Sequence, residues 1–171
     1  MELWDAIRSR RNVREFADRP LAQADLDRIL EAGRLAPSAR NWQPWDFVVV
    51  TDRARLPELA RVWQGAHFIA GATAAIAIVA PEPQGEREPS LLQYDVGQAT
   101  MLMMLAATDL GIGSGHASVA DQELARQILG FPEDRFCAYL IGLGFPRTGR
   151  LAPLGRLNRR PFDEVVHRER W

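Results

Sequence analysis

No lysine occurs anywhere in this chain of 171 residues; all 21 of its Lys/Arg cations are arginines. Schiff-base chemistry through a lysine amine, including the anchor of pyridoxal phosphate enzymes, is therefore excluded. So is a P-loop with its phosphate-binding lysine. Any anion must be held by arginine, by backbone N–H groups or by neutral donors. Cysteine is nearly as scarce, and the one thiol, Cys137, cannot form an internal disulfide. It sits in the apolar run from Phe136 to Ile141, which predicts a buried structural thiol rather than a reactive one. The histidines, His67, His116 and His167, are far apart, and there is no H-E-x-x-H and no Cys/His cluster, so no metal site is expected. A G-x-S-x-G nucleophile elbow is missing too. The formal net charge of −1 gives no general pull toward nucleic acid or an anionic membrane. The uncharged apolar stretch from Val96 to Thr108 fits a buried core helix and is too short for a membrane span. Glu2 and Asp5 interrupt the N-terminus before any apolar leader, which reads as a cytoplasmic protein.

What is present alternates between helical stripes and buried strands. Leu3, Ala6 and Ile7 give a short first helix that runs into the basic cluster Arg8 to Arg14. Leu26, Ile29, Leu30 and Gly33 make a second stripe, ended by Pro37. Phe47 to Val50 reads as a strand, Leu56 to Trp63 as a third helix, and Ala74 to Ala80 as a second buried strand. Pro81 to Pro89 is a polar surface loop, followed by a long helix from about Leu91 to Leu110 that is apolar nearly all round after Gln98. Gly111 to His116 reads as a flexible turn, Asp121 to Leu129 as a helix closed by Gly130, and Phe136 to Leu143 as a third strand. The tail carries a short helical patch at Phe162 to Val166. This pattern predicts α/β or α+β layers around a sheet covered on both faces, in one domain.

Few side chains suit covalent or acid–base chemistry, which favours a bound cofactor that carries the reactivity. The glycines after Leu110 are not a dinucleotide fingerprint, because His116 stands where the third glycine belongs and a helix precedes them. Three segments could build a cofactor site. Arg10-Arg11-Asn12-Val13-Arg14 concentrates three guanidiniums and an amide, able to grip a phosphate, although a solvated basic face would look the same. Pro37-Ser38 through Gln43-Pro44 offers a hydroxyl and two amides on a proline-stiffened loop beside Trp42 and Trp45, or simply a polar loop with core tryptophans. The third runs from Arg156 to Pro161 and holds Arg159 and Arg160, which read equally as solvated tail arginines.

Taken in order, these blocks resemble the nitroreductase family. Ser9 to Phe16 followed by Pro20 is similar to its R-R-S-x-R-x-F opening, and Ala36 to Trp45 to its A-P-S-x-x-N-x-Q-P-W block. The long helix into Leu110-Gly111-Ile112-Gly113, then Ile141 to Gly144 with Pro146, then Arg159-Arg160-Pro161 before Glu164 to Val166 continue the likeness over nearly the whole chain. The resemblance implies a single FMN-binding domain over residues 1–171, with an α+β fold, a central mostly antiparallel sheet flanked by helices, and an intertwined homodimer. It implies that Arg10, Arg11 and Asn12 hold the flavin phosphate and ribityl chain, with Arg159 or Arg160 completing the phosphate site. Arg14 would lie near the N1/O2 edge of the ring and tune it, no side chain being itself catalytic. Pro37, Ser38, Asn41 and Gln43 would approach the flavin from the partner subunit, and the loop of Ser114, His116, Ala117 and Ser118 would present backbone groups to the N5/O4 edge. The implied cycle takes a hydride from NADH or NADPH to flavin N5 and then reduces a small electrophilic acceptor, such as a nitroaromatic or quinone. Reductive dehalogenation or dehydrogenation on the same fold, a flavin-free structural dimer, and a non-enzymatic nucleic-acid binder are the other readings. In two places the chain departs from the family pattern. Asn12 stands where serine is usual, and the 81–89 loop is short where larger members insert helices.

Overall fold

The computed structural model describes residues 1–155 and 158–171. Four strands form its sheet: β1 (Asp46–Val50), β2 (Ala74–Pro81), β3 (Gly113–Ala117) and β4 (Arg135–Gly144), in the order β1-β2-β4-β3. Every pairing between these strands is antiparallel. The helices are α1 (Leu3–Ser9), α2 (Gln23–Arg34), α3 (Leu56–Leu59), α4 (Glu88–Asp109), α5 (Gln122–Leu129) and α6 (Phe162–Val165). The result is the α+β arrangement expected, a sheet with helices against both faces.

β2 shows why the alanine-rich run is a strand despite alanine's helix preference. It lies between β1 and β4 and is buried along nearly its whole length, with small side chains alternating between two packed layers. Ala75, Ala77 and Val79 join Leu56, Leu59, Phe68, Ile69 and Leu140 on one face. Ile76 and Ile78 join Leu26, Ile29, Met103, Met104 and Ile141 on the other, under α2 and α4. α2 and α4 pack so closely that a Cβ at Gly33 would fall 2.8 Å from Met103. Cys137 is fully buried in the first layer, and that burial pushes its thiol up to about 12, as expected of a structural cysteine. Gly130 closes α5 at φ 76° as its sequence predicts, and Asp121, read as the first residue of the helix, instead caps it, accepting from the Leu124 N–H at 2.9 Å.

Three expectations are corrected. The third helix is not continuous from Leu56 to Trp63. α3 passes into a short 3-10 turn and breaks at Trp63, whose backbone is extended (φ −164°, ψ 143°), before a second 3-10 stretch from Gln64 to Gly71. Gly111 to His116 is not a flexible turn, because Gly113 to Ala117 form β3. On α1 the buried side chains are Ala6 and Ser9, while Leu3 and Ile7 face outward. No described helix is long and apolar enough to cross a membrane.

Candidate cofactor site

The site begins where α1 ends. Arg10 leaves the helix in an extended conformation, and the chain runs beside β3 as a fifth, partial strand. Asn12 bridges Ser114 in parallel, and the Val13 N–H donates to the Ser114 carbonyl at 2.9 Å. Glycine makes this approach feasible. A Cβ at Gly113 would sit 2.8 Å from the Val13 side chain, and one at Gly115 would sit 2.6 Å from the Val13 carbonyl oxygen. The glycines that resembled a turn are therefore the seat of the arginine segment.

Along this segment the arginines have different fates. Arg10 is half-buried and lines a cavity of about 250 Å³ with Thr100, Met101, Met104, His116 and Tyr139. Its only side-chain hydrogen bond among the described residues is a long one, 3.4 Å to Asn12 Oδ1. Arg14 is exposed, with its guanidinium 5.9 Å from the centre of the Phe68 ring. Neither Arg10 nor Arg14 has a carboxylate partner among the described residues. Both bear on His116, whose pKa is lowered first by partial burial of the ring and then by the Arg10 and Arg14 charges. Arg11 does something else. Its guanidinium donates to the carbonyl oxygens of Ser9 (3.0 Å), Arg150 (2.9 Å) and Ala152 (3.4 Å), so it clips the segment after β4 onto the end of α1. Arg8 and Leu154 strengthen the clip with bonds in both directions.

The loop from Pro37 to Pro44 is tied internally as well as displayed. A 3-10 turn spans Ala39–Asn41, and Arg40, Asn41 and Gln43 all have positive φ, at 54°, 58° and 52°. For side-chain-bearing residues the left-handed region costs roughly 1 kcal/mol each, so the loop is held against its own preference. Ser38 Oγ accepts from the Gln43 N–H at 2.8 Å, and Gln43 Nε2 donates to the Asn41 carbonyl at 3.1 Å. Those bonds occupy part of the Ser38 and Gln43 capacity, and the exposed Asn41 amide is the donor and acceptor left over. Pro37 is exposed and Trp45 buried in the core under α2 and α4.

Other expected residues are placed as follows. Ser114 is buried inside β3 and its hydroxyl has no hydrogen-bond partner among the described residues, as is also true of the Ser9 hydroxyl at the end of α1. His116 faces outward, Ala117 packs inward, and Ser118 is exposed just past the strand. Arg159 and Arg160 are exposed in the tail with local contacts, to the Asn158 carbonyl and to Glu164. Arg156 lies outside the described residues.

Comparison with known proteins now bears on this geometry. The family model described as "Nitroreductase family" matches residues 7–65 and 60–145. A protein of Archaeoglobus fulgidus named for NADH dehydrogenase and NAD(P)H nitroreductase is 33% identical, with 99% of each chain covered. The chain belongs to the nitroreductase family. A relative from Rhodospirillum rubrum named 5,6-dimethylbenzimidazole synthase is 31% identical over 91% of this chain and 89% of its own. A nitroreductase-named protein of Desulfovibrio desulfuricans, solved in complex with FMN, superposes with a TM-score of 0.80 at 28% identity, covering 100% of this chain and 98% of its own.

The residues fit a group such as the FMN bound in the Desulfovibrio protein. Two guanidiniums free of carboxylates suit a phosphate, and a cavity walled by Met101, Met104 and Tyr139 suits a flat ring. The sequence reading missed the contribution of α4. Thr100, Met101 and Met104 supply one cavity wall, and Asp95 and Gln98 reach the Pro37–Gln43 loop. A signal existed: Asp95 falls on the same stripe as Leu92, Val96 and Ala99, which marks it as a buried acid.

Proposed function

We propose that this chain is an FMN-dependent NAD(P)H oxidoreductase that works as a homodimer on small electrophilic acceptors such as nitroaromatics or quinones. The observation that carries the reading is a pair of cations with no carboxylate partner among the described residues, Arg10 and Arg14, both acting on His116 beside the cavity that Arg10 lines. When bound, FMN supplies the centre that takes a hydride from NAD(P)H and passes it to the acceptor. Arg10 holds the phosphate, and Asn12, bonded to Arg10, is placed for the ribityl hydroxyls. Arg14 offers its guanidinium charge to the ring edge. Arg11 supports this set by fixing the backbone from Ser9 to Asn12, and Arg159 or Arg160 closes the phosphate site from the tail. Ser118, at the exposed end of β3, offers its backbone to the ring together with Ser114, His116 and Ala117.

The homodimer brings the second half of each site: Pro37, Ser38, Asn41 and Gln43 of one subunit meet the flavin of the other. In support, Trp4 (68% exposed), Leu3 and Ile7 on α1 and Tyr94 (69% exposed), Leu91 and Met101 on α4 leave large apolar side chains in the open on two helices that pack together. No nucleic acid, metal or membrane takes part, and the enzyme is cytoplasmic. The family name leaves the acceptor open, as the Rhodospirillum relative's name illustrates. The test is the visible spectrum of the purified protein before and after anaerobic NADH or NADPH. Flavin bands that bleach support the reading, and an acceptor panel then finds the substrate. A colourless protein that also fails to take up added FMN overturns it.

A further inference from the structure

A carboxylate buried in α4 has one short bond to another element. Asp95 is 2% exposed and surrounded on its own helix by Leu92, Val96 and Ala99, all buried. Its Oδ2 accepts from the backbone N–H of Ala39 at 3.0 Å, across 56 positions of sequence. Gln98, one turn along, donates weakly to both Asp95 Oδ1 and the Pro37 carbonyl, each at 3.4 Å. Ala39 opens the 3-10 turn whose next residues, Arg40 and Asn41, are left-handed, followed by Gln43. Burying a carboxylate is costly unless it is hydrogen-bonded, and nothing in the packing of α4 requires an acid at this position. What Asp95 can do that alanine cannot is seize the first N–H of the turn and so impose the conformation of the residues after it.

We propose that Asp95 is a positioning residue: its buried carboxylate clamps the Ala39 N–H and holds the Pro37–Gln43 loop in the left-handed form that displays Asn41. The clamp stands on geometry alone, while its consequence for cofactor binding rests on the FMN reading above. Because the loop serves the partner's site in that reading, Asp95 acts through the loop on a flavin it does not touch. The conservative variant separates clamp from charge. Asp95→Asn keeps an acceptor oxygen for Ala39, and its amide nitrogen can bond a reoriented Gln98. Asp95→Ala keeps neither.

The experiment measures FMN affinity by flavin fluorescence, and amide exchange at Ala39 by NMR in protein without added flavin, for wild type and both variants. The expected result is that Asp95→Ala loses Ala39 protection and binds FMN at least tenfold more weakly, while Asp95→Asn stays within about threefold of wild type. A folded Asp95→Ala that keeps either Ala39 protection or full FMN affinity overturns the proposal, as does Asp95→Asn behaving like Asp95→Ala. Should Asp95→Ala fail to fold, Ala39→Pro decides. It deletes the donor, and Ser38 at φ −145°, ψ 159° already has a backbone that a following proline accepts. Folded Ala39→Pro with wild-type FMN affinity overturns the clamp's role; weakened affinity supports it. If wild type itself binds no FMN, the functional reading falls, and Ala39 exchange alone still decides the clamp.

Discussion

The Arg11 guanidinium donates to the carbonyl oxygen of Arg150 at 2.9 Å, joining positions 139 residues apart, while its neighbour Arg10 lines the cavity. Adjacent arginines therefore have separable roles. Arg11→Ala should cost about 1–2 kcal/mol of stability, the worth of a charge-assisted bond at a partly exposed site. It should also release the segment after β4 to proteolysis. Urea unfolding and limited digestion check both; unchanged stability with an intact tail would show that the clip holds nothing.

Arg10→Ala should do the reverse. Stability should stay within about 0.5 kcal/mol, since the Arg10 side chain makes a single long hydrogen bond among the described residues. FMN affinity should fall about tenfold to a hundredfold, as expected for one or two lost charge-assisted bonds to phosphate. Flavin titration monitored by fluorescence reads it. Wild-type affinity in this variant would move the phosphate elsewhere in the site.

His116 reports the same place through pH. Its pKa is lowered by partial burial and by Arg10 and Arg14, so as pH falls the unfolded chain takes up a proton here before the folded one. The stability this group contributes is present above its ordinary value near 6.5 and is lost as pH drops through the folded value. His116→Gln should remove that part of the acid-side loss. A bound phosphate group would offset the two guanidiniums, so FMN should raise the His116 pKa, visible in an NMR titration of the ring. No upward movement would place the phosphate away from Arg10 and Arg14.

The exposed side chains of α1 and α4 predict a dimer whose loss costs the cofactor. Trp4→Glu combined with Tyr94→Glu should yield monomers by light scattering and reduce FMN binding at least tenfold, because each site would lose its second wall. Monomers that bind FMN as well as wild type would show that one subunit completes the site alone.

Particular residues explain what could be read from sequence. α5 was legible because Asp121 and Gly130 punctuate it, and β2 because Thr73 and Pro81 bracket a short apolar run. β3 was not, because Gly-Ser-Gly-His-Ala has little strand preference of its own. It is a strand because β4 pairs with it on one side and Val13 lies against its glycines on the other. The break at Trp63 is likewise tertiary, as the Val62 carbonyl accepts from Ala120 and Asp121. Arg10, Asn12 and Arg14 were singled out from composition and resemblance together, and the structure sets them on the segment beside β3. Arg11 belonged to the same cluster, and only the position of residues 150–152 shows what it holds. Asp95 was overlooked because the helix was read for its apolar residues rather than for the acid buried among them.

The clip between Arg11 and residues 150–152 also sets an order of events during synthesis. The sheet's last strand ends at Gly144, so a chain emerging from the ribosome can pair β1, β2, β3 and β4 before the clip's carbonyls are available. Residues 12 and 13 can already bond to Ser114 of β3 at that stage, but the Arg11 side chain gains its partners at 150 and 152 only afterwards. Closure of the Arg11 clip thus follows completion of the sheet and adds a late fastening to the segment that leaves α1.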